Sequence, residues 1–103
     1  MIDPRGRPWH VEVPTTRHER ARGLLGRDGL PEWHAMLFER ARSVHTFGMR
    51  FEIAALFLDC GLRVLEIARM PPGRLALPRP RARHLLEAPT DADLALGDVM
   101  RLA

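Results

Sequence analysis

Between Ser43 and Asp59 the chain reads S-V-H-T-F-G-M-R-F-E-I-A-A-L-F-L-D, and its first part crowds His45, Thr46, Met49 and Arg50 into six residues. An imidazole such as that of His45 titrates near neutrality and acts as a general base when a neighbouring group orients it. Asp59 and Glu87 are the acids that would do so, and Arg22, Arg27 and Arg50 are guanidinium groups able to hold an anion through two donors at once. Thr46 adds a hydroxyl, and Ser43 is the only serine of the chain. Two chemistries follow. In the first, Arg22, Arg27, His45, Thr46, Met49 and Arg50 bind a small polar or anionic ligand, with Phe47, Met49 and Trp33 as apolar walls. In the second, the same cleft is a hydrolase with His45 as general base, although no G-x-S-x-G elbow marks Ser43 as a nucleophile. Each residue also has a plain structural role open to it. His45 would then hydrogen-bond backbone, Phe47 and Met49 would fill core, and Glu87 would bridge to Arg22 or Arg27. Asp98 would bond its own turn.

Other chemistries lack their residues. The five histidines, at positions 10, 18, 34, 45 and 84, show neither H-x-H nor H-E-x-x-H spacing, so no metal is expected. No glycine-rich phosphate loop is present, and no cofactor is implied. Cys60 is the only cysteine, so it forms no internal disulfide; it sits beside Gly61 in an expected turn. The sequence pI near 10.8 overstates the basic character, because the net charge is only +3 and all 16 basic residues are Arg. Arg79, Arg81 and Arg83 alternate, and in an extended chain they would share a side near Arg74. That stripe is the basis of a third possibility, a weak nucleic-acid-binding module, but no aromatic residue is interleaved to stack on bases. Recognition of a small ligand or a protein partner is the preferred expectation.

These side chains need a scaffold. A chain of 103 residues is one domain, residues 1–103, and its 46% hydrophobic content supplies a core. No apolar run reaches the ~18 residues of a membrane span. The segment Met1–Pro8 has no apolar h-region, so a cytoplasmic location is the default expectation. Strands are expected over residues 9–13, 35–38, 43–47, 53–58, 62–69, 84–88 and 99–102. The run at 53–58 is apolar at every position and should be covered on both faces. One short amphipathic helix is expected over about residues 16–26, opened by a Thr16–Glu19 capping box, striped by Ala21, Leu24 and Leu25 and closed by Gly26. Gly23 inside it points to close packing or an early end. Residues 70–80 carry four prolines and read as an irregular crossing, and Thr90–Asp93 as a single helical turn. The class is mainly β.

The chain resembles the bacterial and archaeal domain-of-unknown-function family 192. Arg22–Arg27 resembles its R-G-L-M-x-R helix end, Ala35–Phe38 its G-M-L-F strand, and Val44–Phe51 its H-T-F-x-M-R-F motif. Phe57-Leu58-Asp59, Leu86-Glu87 and Gly97-Asp98 resemble its later F-L-D, L-E and G-D elements, all in family order. The resemblance implies a small jelly-roll-like β-sandwich or barrel with a helix packed against it, and neither a cofactor nor a reaction. One position departs: where the family carries an acid after the isoleucine, Ile53 is followed here by Ala54. Glu52 would face the other way on a strand and does not replace it.

Overall fold

The computed structural model describes residues 1–102. Its elements are β1 (His10–Glu12), α1 (Arg17–Arg22), β2 (His34–Glu39), β3 (Val44–His45), β4 (Ile53–Leu58), β5 (Val64–Met70), β6 (Leu75–Ala76) and β7 (His84–Ala88). Five strands make one sheet in the order β1-β2-β7-β4-β5, and β3 with β6 forms a separate ribbon. β1 runs parallel to β2, and the remaining neighbours are antiparallel. The mainly-β class holds, and the sheet is open at β1 and β5 rather than closed into a barrel.

The all-apolar β4 is buried at each of its positions because both sheet faces are covered. Its alternate residues divide between two clusters. Ala54, Leu56 and Leu58 pack with Trp9, Leu37, Leu86, Leu94 and Met100 under the chain termini. Ile53, Ala55 and Phe57 pack with Leu24, Met36, Val44, Met49 and Leu85 under the β3–β6 ribbon and the segment after α1. The period-2 rule thus places consecutive residues of one strand in two different cores.

Several expected elements are shorter than their sequence pattern. The capping box forms: the Glu19 amide donates to Thr16 Oγ1 at 3.1 Å and the Thr16 amide to Glu19 Oε1 at 3.0 Å. The helix nevertheless stops at Gly23, not Gly26, and buries none of its own residues. Ala21 is exposed, and Leu24 and Leu25 reach the core from the turn that follows, so the apolar stripe is not a helical face. Gly23 adopts φ 49° and ψ −124°, and a Cβ there would lie 3.2 Å from Phe38 Cζ. A backbone of that shape is open to glycine alone, and it turns the chain onto the sheet.

The expected strand 43–47 contributes only Val44 and His45 to a ladder. The expected strand at 99–102 is reduced to isolated bridges, Val99 to Arg63 and Arg101 to Ile2. Residues 90–93 make a turn rather than a helix. At the other end of the chain Asp3 is fully buried and accepts from four donors: the Arg5 and Arg7 amides, Arg7 Nε at 2.8 Å and Trp9 Nε1 at 3.1 Å. Burial pushes its carboxyl up, but these donors outweigh it and hold the group below the ordinary aspartate range. This knot fixes the first residues against the sheet.

Candidate functional site

A cleft of about 170 Å³ opens between the segment Arg20–Leu25 and the segment Ser43–Met49, with Phe38 of β2 and Leu85 and Glu87 of β7 as its floor. Two glycines bring its walls together. Gly23 lets the helix end settle on Phe38, and Gly48, at φ 80°, would place a Cβ 3.3 Å from Leu25 Cδ2. A side chain at either position would push one wall away from the other.

Glu87 is the unusual member of this cleft. In β7 it shares a face with Leu85, and its ladder neighbours are Met36 of β2 and Ala55 of β4, both apolar and buried. The residue is only 4% exposed. Among the described residues its carboxyl receives no side-chain or backbone donor and pairs with no cation within 4 Å, whereas Asp3, the other buried acid, is fully satisfied. Loss of water without a compensating donor pushes its pKa up to about 7. The expected bridge from Glu87 to Arg22 or Arg27 does not form. Arg27 instead forks onto Glu12, with Nη1 and Nη2 donating at 2.7 and 2.9 Å, which holds the Glu12 carboxyl below its ordinary range. Arg22 is exposed at the mouth of the cleft and has no acidic partner among the described residues.

The other residues marked by sequence are dispersed. His45 and Met49 line the cleft together with Arg22. His45 is exposed, stacks on Phe47 with ring centres 5.2 Å apart, and makes no side-chain hydrogen bond among the described residues. Phe47 is half exposed at the lip, while Met49 is buried in the wall. Thr46 is fully buried; its Oγ1 donates to the Pro71 carbonyl at 2.6 Å and accepts from the Arg74 amide at 2.9 Å, which ties β3 to the crossing before β6. Arg50 points to the surface and pairs with Asp28 at 3.0 Å. Asp59 Oδ1 accepts from the Gly61 and Arg63 amides, so it shapes the β4–β5 turn and does not orient His45. Those bonds hold its carboxyl below the ordinary range. Trp33 lies under the opposite face, edge-on to Trp9 at 5.3 Å.

Of the residues marked by sequence, Arg22, His45 and Met49 line the cleft, whereas the sequence pattern gives Glu87 only a supporting part, beside His45 or an arginine. Its signal was there to use: a single acid in H-L-L-E-A, on the same face as a leucine in an otherwise apolar strand, has to be buried. Ala54, where the resembled family carries an acid, packs in the cluster under the termini and faces away from this cleft. The arginine stripe does not form either. Residues 79–82 turn, with the Ala82 amide donating to the Arg79 carbonyl, and Arg79 Nε donates to Glu66 at 2.7 Å while its guanidinium lies over Phe57. Among the described residues no three His, Cys, Asp or Glu side chains gather as metal ligands.

The family model of DUF192, described as an uncharacterized ACR, matches residues 1–98, and the chain belongs to that family. A UPF0127 protein of Thermococcus gammatolerans is 30% identical over 95% of the chain and 71% of its own length. A UPF0127 protein of Pyrococcus horikoshii is 38% identical over 46% of the chain, a match that spans only 41% of that relative. A solved protein of unknown function from Novosphingobium aromaticivorans superposes with a TM-score of 0.78 over 95% of the chain and 79% of its own, at 22% identity, and shares the fold.

Proposed function

We propose that this DUF192 domain is a small-ligand-binding module whose site is the cleft between Arg20–Leu25 and Ser43–Met49. The observation that carries the proposal is Glu87, a buried carboxyl with no donor of its own at the floor of a cleft that opens to solvent. Among the described residues no sealed-in side-chain atom lacks a partner, so water from the cleft reaches the carboxyl; its partial desolvation disfavours the ionised form, and a ligand that brings a donor replaces that water with a direct bond. The volume sets the scale. About 170 Å³ lies below the ~300 Å³ at which sites for drug-sized ligands begin. The occupant is therefore a small metabolite, or the polar tip of a larger molecule such as a peptide side chain.

Its chemistry follows from the lining. A hydroxyl or amine reaches Glu87, an apolar portion meets Leu24, Leu25, Phe38 and Met49, and a group left at the mouth meets Arg22, His45 and the Phe47 ring. An anionic group belongs at the mouth and not on the floor, where the carboxyl would repel it. Arg27, Thr46 and Arg50 are left out of the contact set, since Glu12, the Pro71 carbonyl and Asp28 hold them elsewhere. The hydrolytic alternative is weaker, because His45 has no carboxylate or hydroxyl bonded to it.

The test is a thermal-shift screen of small alcohols, amines, amino acids and sugars on the wild type and on Glu87→Gln. Compounds that raise the melting temperature of the wild type and lose that effect in the variant support the proposal. Stabilisation that is the same in both proteins places the ligand elsewhere.

A further inference from the structure

The segment Arg40–Ser43 divides two hollows. Ala41 and Ser43 line the cleft above, whereas Arg40 and Arg42 line a second, open hollow of about 400 Å³ with Arg83, His84 and Cys60. We propose that this second hollow binds a phosphate- or sulfate-type oxyanion, independently of the Glu87 cleft.

Three arginines border one surface depression, and none of them pairs with a carboxylate among the described residues. Arg83 and His84 are held in place, while the guanidinium groups of Arg40 and Arg42 make no hydrogen bond or ion pair among the described residues. The chain leaves β2 at Arg40 with φ 54°, and the Arg40 amide donates to His84 Nδ1 at 3.1 Å. With Nδ1 accepting, the neutral imidazole carries its proton on Nε2, so His84 is set as a donor. Arg83 Nη1 donates to the Pro80 and Ala82 carbonyls at 3.1 and 3.0 Å. These bonds brace the guanidinium and leave its Nε and Nη2 for a ligand. No acid lines the hollow: Asp59, which accepts from the Gly61 and Arg63 amides, and Glu39, across the ladder from His84, both lie outside it. Planar guanidinium forks match the oxygens of a tetrahedral oxyanion, and a dianion relieves the repulsion among three like charges.

Cys60 is the only thiol of the chain, is exposed, and lines the same hollow, which makes it a built-in reporter. The experiment follows the rate at which Cys60 reacts with an uncharged disulfide reagent at fixed pH, with inorganic phosphate or with sodium chloride at matched ionic strength. Phosphate at ten times its dissociation constant should slow the reaction roughly tenfold and in a saturable way, by mass action, while chloride has little effect. An Arg42→Gln/Arg83→Gln double variant with an unchanged melting temperature should lose this protection. Equal slowing by phosphate and chloride, which is screening alone, would overturn the proposal. So would phosphate protection that persists undiminished in the double variant.

Discussion

Replacing Glu87 by Gln keeps the shape of the side chain and removes its ability to ionise. Burial raises the carboxyl from 4.5 to about 7, a difference of roughly 2.5 units at 1.36 kcal/mol each, or about 3 kcal/mol. Below pH 4.5 the group is protonated in both the folded and the unfolded chain, and no penalty arises. Between 4.5 and 7 the unfolded chain has released the proton and the folded chain still holds it, so wild-type stability falls as pH rises through this window and levels off above it. Glu87→Gln has no such loss. The difference in unfolding free energy, variant minus wild type, should therefore grow by about 3 kcal/mol between pH 4 and pH 8. For a domain this size that is an increase of about 2 M in the difference between urea midpoints. All other titrating groups are common to the two proteins and cancel. The assay is urea denaturation followed by tryptophan fluorescence at several pH values. A difference that stays constant with pH would mean that Glu87 ionises in the folded protein as it does in water, and that burial does not raise its pKa.

Asp3 has the opposite sign. Its folded pKa is lowered, so its contribution is present above the ordinary aspartate range and lost as pH falls through the depressed value. Asp3→Asn turns an amide toward donors that need an acceptor, and should cost about 3 kcal/mol in denaturation at neutral pH. Gly23→Ala forces a side chain into the φ 49°, ψ −124° turn and toward the Phe38 ring. It should lower stability by about 2 kcal/mol in the same assay. Arg27→Ala breaks a fork to Glu12 in which both side chains are more than a third exposed. It should cost no more than about 1 kcal/mol and leave ligand responses of the cleft unchanged in the thermal-shift screen.

Legibility in the sequence followed how local each determinant is. The capping box, the β4–β5 turn and the doubly buried β4 depend on near neighbours or on a run of one residue type, and each stands where the pattern put it. The helix end failed because Ala21, Leu24 and Leu25 fit a helical stripe, whereas the short contact between Gly23 and Phe38 is set by tertiary packing that the pattern does not contain. The grouping of the marked side chains was limited in a similar way. Proximity in sequence made Thr46 and Arg50 look like partners of His45, yet one turn of chain sends Thr46 into the core and Arg50 out to Asp28. Arg27 was drawn off by Glu12, fifteen residues earlier, across a boundary between elements. What brings Glu87 to the cleft is the pairing of β7 between β2 and β4, a non-local choice that no short motif encodes.

The most direct test of the ligand cleft is a crystal structure determined after soaking in concentrated ethylene glycol, isopropanol and acetamide. Small probes of this kind collect where apolar walls surround a polar group that has no partner within the protein. A probe should bind between the Gly23–Leu25 and Val44–Met49 walls, with its hydroxyl or amide group donating to Glu87. A cleft left to disordered solvent while the probes gather at other surfaces, or a Glu87 carboxyl found paired with an arginine, would contradict the proposed binding.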